Sequence, residues 1–448
     1  MRDIVLIAFV FGGSFVALVR PFVGLMLFIG LGLLNPPSMT WGIARTFPLS
    51  EVAALATMVG MIVSGELKKL PNQRELYLLL LLWCLFGVTT MNAFQPTLAM
   101  DKLGYVSKIL LMALVTIILV NSRERLQSVL RVIGLSLGFH GLKAGIFVIT
   151  TGGQYNVYGP DGSFLETNNA IGLALAMNIP VLLFLIKREQ YPWLRRLLKA
   201  MLVLSYPAII CTYSRGAWLG LTAVTALIFV RTQRKLLLAT AGGMVAIILI
   251  AVLPRVMPQR LTQRYDSLVN YEDDASAESR FWNWTFCAKV GMGNPLTGAG
   301  FDYYSPELYA IYYPEFIERW GADKVWTCHS VWFTVFGEHG IPGLVVWLAL
   351  LLSCASSARR ISRYSKADPE IAWAGDYADV LVKMLVPYVV SGTFFDAAYF
   401  DLLYYVVAIT IILKQLVYAP IAQFSPAVIA GDRLRTTAQG DKKVPLAT

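Results

Sequence analysis

Three side chains have the type and placing for chemistry. His329, in Cys328-His329-Ser330, stands where a long aromatic, polar stretch gives way to an apolar run. An imidazole titrates near neutral pH, so at a water–lipid boundary it can take a proton from a reacting hydroxyl. Arg215, in Thr212-Tyr213-Ser214-Arg215-Gly216, falls between two apolar runs with almost no room for a loop. Charges at such points face a cavity or a partner, the plainer alternative being a side chain that snorkels at a helix end. Arg280 follows Glu272, Asp273, Asp274 and Glu278 and precedes Phe281-Trp282. It either pairs with those carboxylates or grips a phosphate or diphosphate, for which a guanidinium offers bidentate hydrogen bonds. Arg255, Arg260 and Arg264 are weaker candidates for the same task.

Further residues form an outer ring of candidates. Lys108 and the pair His140 and Lys143 lie toward the same ends of two apolar runs, where they line a polar cavity or simply bridge helices. Tyr213 and Asn169 are possible secondary substrate contacts. The stretch Tyr158-Gly159-Pro160-Asp161-Gly162 followed by Glu166-Thr167-Asn168-Asn169 reads as a turn and a helix cap, which explains it without a ligand. His339 is expected to pack or to mark a helix break. With five cysteines, no C-x-x-C and only three histidines, no metal site is indicated. Cys287 and Cys328 would pair only in an oxidising space, and free buried thiols are the expectation. No phosphate-binding loop, dinucleotide fingerprint or zinc helix motif occurs, so the energy for any reaction must arrive within the substrate.

The elements that position these residues are apolar. The 448 residues are 56% hydrophobic and only 15% charged, with a mean hydropathy of +0.59, where soluble chains carry about a quarter charged residues. Apolar runs near 4–19, 21–34, 49–64, 76–92, 104–120, 126–148, 169–186, 198–213, 216–230, 236–253, 330–356, 376–394 and 401–417 predict an all-α integral membrane protein. Arg20-Pro21 splits the first two. Twelve crossings are expected, with both chain ends on the cytoplasmic side and the first two runs not both crossing fully. Basic clusters around Lys68, Arg123, Lys187, Arg231 and Arg359 fall on alternate loops and should be cytoplasmic. The net charge of +10 is then the positive-inside pattern, and nucleic acid is excluded as a partner. The chain divides into membrane helices over 1–253, a large outer loop domain over 254–328, membrane helices over 329–417 and a disordered cytoplasmic tail over 418–448. The loop holds seven Lys/Arg against ten Asp/Glu and fifteen aromatics. The aromatics are expected to form its small core, with stacking on sugar rings as the alternative.

His329-Ser330, nine residues, Gly340, two residues and Gly343 together resemble a signature of bacterial O-antigen ligases. Tyr213-Ser214-Arg215-Gly216, Ser276-Ala277-x-x-Arg280-x-x-x-Trp284 and Phe164-x-x-Thr167-Asn168-Asn169 are similar to three further elements of that family, in the same order, over roughly 150–417. The resemblance implies a GT-C-like glycosyltransferase of the bacterial inner membrane, multi-pass, with its active site facing the periplasm and without cofactor. It implies a glycan donor on undecaprenyl diphosphate and a hydroxyl of lipid A–core oligosaccharide as acceptor, with membrane lipids as surroundings. Arg215 and Arg280 would hold the diphosphate, His329 would be the general base, and direct attack would invert the anomeric centre. An O-antigen polymerase or a protein O-oligosaccharyltransferase would use the same chemistry. A polysaccharide or lipid transporter is the reading from another class, with Lys383 as its mid-membrane charge.

Overall fold

The computed structural model describes residues 2–231 and 275–424, and among them all regular structure is helical. The N-terminal helices are α1 (Arg2–Ala17), α2 (Pro21–Leu34), α3 (Leu49–Val63), α4 (Arg74–Met91), α5 (Pro96–Leu119), α6 (Arg123–Thr151), α7 (Asn168–Arg188), α8 (Pro192–Ile210) and α9 (Arg215–Arg231). The large loop contributes α10 (Ala275–Gly293), α11 (Pro306–Tyr312) and α12 (Pro314–Trp320). Helices α13 (Val331–Tyr364), α14 (Ala372–Gly392) and α15 (Asp401–Phe424) close the fold. Six of the described helices, α4 to α7, α13 and α15, are long and apolar enough to cross a membrane, and α2 and α3 are apolar but shorter. Each apolar run of the sequence maps onto one helix, except 236–253, which lies outside the described residues together with Arg255, Arg260, Arg264 and the acidic run 272–274. Helix α15 continues past 417 to Phe424, into the segment expected to be a disordered tail. A helix extends at one hydrogen bond per residue and does not stop where hydropathy falls.

Helix ends sort onto two faces. On one, Arg45 pairs with Asp161 at 3.1 Å, Phe94 N donates to Ala299 O at 2.9 Å, and Val157 N donates to Cys211 O at 2.9 Å. On the other, the basic loops find carboxylates: Arg125–Glu66 at 2.6 Å, Arg188–Asp376 at 3.0 Å and Arg231–Asp379 at 2.7 Å. The start of the chain departs from expectation. Asp3 accepts hydrogen bonds from Gly42 N (3.0 Å) and Ala44 N (3.2 Å), so it lies on the first face, opposite the basic loops. Helices α1 and α2 form a short hairpin turned at Arg20-Pro21, where a proline starts a helix but cannot continue one.

Helix α7 is apolar all round and sits at the centre, with Ala170–Val181 fully buried, as a helix with no polar stripe must. The basic-face end is joined by one buried carboxylate. Glu75 accepts from Ser353 (2.7 Å), Ser357 (2.6 Å) and Lys414 (2.5 Å), which ties α4, α13 and α15 through a charge that burial would otherwise disfavour.

Helix α13 is broken at Gly340, whose φ of +65° and ψ of −164° are not helical and suit a residue without Cβ. The carbonyls this frees are not left bare. Gly337 O accepts from Ala299 N (2.8 Å), Glu338 O from Gly300 N (3.0 Å), and Ile341 N donates to Pro295 O (2.8 Å). The loop domain is thus docked into the break through three backbone hydrogen bonds, which pair polar groups that the break would otherwise leave bare. A Cβ at Gly343 would lie 2.2 Å from His339 Cβ. Gly343→Val is expected to overpack this point and remove about 1–3 kcal/mol of stability, read as a lower thermal midpoint in detergent. An unchanged midpoint would show that α13 has slack there.

Candidate functional site

His329 precedes α13 with φ +50°, a left-handed conformation that costs a non-glycine residue roughly 1–2 kcal/mol. Two anchors hold it. The preceding Cys328 is disulfide-bonded to Cys287 of α10, with a Cα–Cα separation of 6.0 Å. The expected free thiols are therefore a pair, because α10 packs along α13 and brings two distant positions into bonding range. Tyr304 and Tyr303 hydroxyls lie 3.2 and 3.5 Å from Cys328 Sγ, and burial pushes both phenols well above their usual range.

The second anchor is Asp396, in the turn between α14 and α15. Its Oδ1 accepts from Ser330 N (3.3 Å) and Thr334 Oγ1 (2.6 Å), and its Oδ2 accepts from Thr327 Oγ1 (2.5 Å). His329 Nδ1 lies 3.5 Å from Oδ2, with the His329 side chain 46% exposed. One carboxylate therefore caps the positive end of α13 and steadies the imidazole.

Arg215 is the first residue of α9 and only 7% exposed. The turn before it is built by neighbours. Asn168 Nδ2 donates to Thr212 O at 2.9 Å, the Tyr213 hydroxyl donates to Gly153 O, and Ser214 Oγ accepts from Ala217 N at 3.2 Å. Tyr213 also adopts a positive φ of +54°, and backbone strain of this kind gathers at functional sites. The start of α9 rests on the end of α14: Ser391 Oγ donates to Gly216 O at 2.8 Å, and a Cβ at Gly216 would lie 3.3 Å from Phe394 Cβ. Arg280 on α10 places its guanidinium 5.8 Å from the centroid of the same Phe394 ring. One helical turn on, Trp284 lies 6.0 Å from Phe394 and stacks on Phe333 at 5.5 Å. Glu278 pairs with Arg319 at 2.6 Å.

The segment 391–396 is thus where the three elements meet. The Arg215 turn rests on Ser391 and Phe394, Arg280 stands over Phe394, and His329 faces Asp396. Sequence reasoning missed Asp396 and Phe394. The available signal was a lone carboxylate in a short turn between two apolar runs, on the face without basic clusters.

The secondary candidates divide. Tyr213 is buried and spends its hydroxyl on Gly153. Asn169, half-buried, is the second residue of α7, next to the Asn168 that steadies the Arg215 turn. Lys108 pairs with Glu51 at 3.4 Å beside Asp401 in a cavity of about 450 Å³. Lys143 lines a different cavity of about 630 Å³. His339 is fully buried in the break of α13, bonded through Nδ1 to Thr89 Oγ1 and through Nε2 to the Tyr399 hydroxyl, each at 2.7 Å. Tyr399 also donates to Glu338. The loop aromatics form a core: Phe286 stacks on Tyr309 at 3.6 Å and Trp282 on Tyr313 at 5.2 Å.

Residues 200–348 match the family described as O-antigen ligase. The segment contains Arg215, Arg280 and His329. This segment of the chain is thus similar to the O-antigen ligase family. Residues 1–190, which include Asn169, Lys108 and Lys143, match a family of unknown function. No match is found among curated proteins. The matched segment supports a membrane protein of the O-antigen ligase/polymerase type, and the six long apolar helices support a multi-pass one. Asp396, in the turn on which the site is assembled, lies beyond the segment matched to the O-antigen ligase family.

Replacing Cys287 and Cys328 by serine is expected to destabilise the loop domain by about 2–5 kcal/mol. Tryptophan fluorescence during thermal unfolding should show the loop melting earlier. Coincident curves for variant and wild type would mean that the aromatic core alone holds it.

Proposed function

We propose that this protein is an O-antigen ligase. It moves a glycan from undecaprenyl diphosphate to a hydroxyl of lipid A–core oligosaccharide, on the periplasmic side of the bacterial inner membrane. The observation that carries this reading is the meeting of a carboxylate-steadied histidine and two arginine-bearing helices on the segment 391–396. The disulfide supports an oxidising compartment for that face, and the carboxylate-paired basic loops on the opposite face support a cytoplasmic one.

In this mechanism His329 faces Asp396 through Nδ1, which leaves Nε2 to accept the proton of the acceptor hydroxyl. The oxygen so activated attacks the anomeric carbon. The bond from that carbon to the diphosphate oxygen breaks on the opposite side, and configuration inverts. Asp396 stabilises the imidazolium that forms. Arg215 and Arg280 hold the diphosphate and stabilise the charge gathering on the leaving oxygen. Neither metal nor nucleotide enters the scheme. An odd number of crossings, thirteen if both of the first two helices span, with the loop domain over the site, would complete the architecture. Lys383, the charge on which a transporter reading leaned, is paired with Asp379 within α14, which favours a structural role for it.

The test is transfer in vitro from undecaprenyl-diphosphate-linked glycan to lipid A–core, in the presence of EDTA. His329→Ala is expected to lower turnover by about 10²–10⁴-fold, and Asp396→Asn by a smaller factor of about 10²-fold or less. Arg215→Lys and Arg280→Lys should both lose activity, since an ammonium keeps the charge but not the bidentate geometry. Near-normal turnover in His329→Ala would remove the general-base role. Polymer or glycosylated protein in place of ligated lipid A–core would keep the chemistry and change the acceptor.

A further inference from the structure

The cavity of about 630 Å³ that contains Lys143 lies on the same face as the site, and the mechanism above makes no use of it. Its walls come from the start of α1, the turns after α2, the outer end of α6 and the loop 156–161. Its volume falls within the range of small-ligand sites, roughly 300–1,000 Å³. Three cations line it: Arg2, Arg45 and Lys143. Arg45 is paired with Asp161 at 3.1 Å. Among the described residues no carboxylate forms an ion pair with Arg2 or Lys143, so the cavity carries a net positive charge. His140, also on its wall, is bonded through Nε2 to Leu33 O at 3.0 Å. Aromatic faces flank the cations, with Trp41 at 88% and Tyr158 at 62% exposure.

Unpaired cations beside exposed aromatic planes suit one ligand chemistry, a sugar that carries a phosphate or a carboxylate. The cations hold the anion, the rings stack on the apolar face of the sugar, and Asp161 is placed to accept from a hydroxyl. The cavity is also joined to the site by its own wall. Val157 N donates to Cys211 O at 2.9 Å, and the preceding turn accepts the Tyr213 hydroxyl at Gly153 O. Both bonds fall on the strand of chain that leads directly into Ser214 and Arg215.

We infer that this cavity binds an anionic saccharide and is the subsite for the charged part of the acceptor glycan, an inference that rests on the ligase reading given above. Residues 1–190 then contribute acceptor recognition, and the segment that follows contributes the chemistry.

The test uses the full chain in detergent and ligand-observed NMR, with glucose 1-phosphate, glucose and inorganic phosphate as probes. His329→Ala protein serves as the background, so that binding is read without turnover. Glucose 1-phosphate is expected to bind at least tenfold more tightly than either glucose or phosphate. Lys143→Ala combined with Arg2→Ala should abolish that preference, and Lys143→Arg should keep it. Both positions are exposed, and an unchanged melting curve checks the fold. In the transfer assay the double variant should raise KM for the acceptor and leave KM for the donor unmoved. Equal binding by wild type and double variant would overturn the site, and equal binding of phosphate and glucose 1-phosphate would overturn the saccharide. A wild type that binds glucose 1-phosphate with the stated preference but transfers to no acceptor would sink the ligase reading and leave the cavity's ligand class standing.

Discussion

The arrangement depends on one carboxylate. Asp396 is bonded to Thr327, Ser330 and Thr334 and faces His329. These partners belong to the end of the loop domain and the first turn of α13, while Asp396 itself belongs to the turn between α14 and α15. The loop domain, a long helix and the closing helical pair are therefore tied through a single anionic group. That group sits where the positive end of a helix favours negative charge. Its replacement would not merely loosen a histidine. It would leave two hydroxyls and a backbone amide without their acceptor and free the left-handed His329 to relax.

A second polar network supports the first from below. His339, Tyr399, Glu338 and Thr89 are bonded to one another at the break of α13, and Asp302 N donates to Glu338 Oε1 at 3.1 Å. Tyr399 lies three residues beyond Asp396 on the same turn. The turn is thus fixed at both ends, by Asp396 to the loop side and by Tyr399 to the interior. Phe86 and Phe301 close around His339 at 4.4 and 4.6 Å. Buried polar groups of this kind are costly unless each is paired, and here the pairing sets the position of the Asp396 turn. The two motif glycines have a physical reading in the same place. Gly340 breaks the helix so that the loop domain can dock, and Gly343 leaves room for His339.

Both matched segments contribute to the site face. The O-antigen ligase segment supplies Arg215, Arg280 and His329. The N-terminal segment supplies Asn168, which steadies the Arg215 turn, and the loop 152–161, which is bonded to it. This division explains why a turn with no charge of its own, Cys211 to Ser214, is so heavily bonded. It is the seam between the two halves.

Much of the molecule was legible in the sequence. The apolar runs predicted the helices, because a helix in hydrocarbon must be apolar wherever lipid touches it. The alternation of basic loops predicted the two faces, and the type and placing of His329, Arg215 and Arg280 singled out three residues whose elements the structure brings together on the segment 391–396. Three things needed the tertiary structure. Asp396 joined the site because its partners are about sixty residues away along the chain, and no local pattern encodes that pairing. Cys287 and Cys328 formed a bond because α10 lies along α13, a packing decision that spacing alone does not settle. Lys108 and Lys143 were sorted into two separate cavities because helices α5 and α6, alike in hydropathy, turn their charged residues toward different neighbours. Sequence determines which residues must face lipid and which can carry charge. Only packing decides which of the charged ones meet.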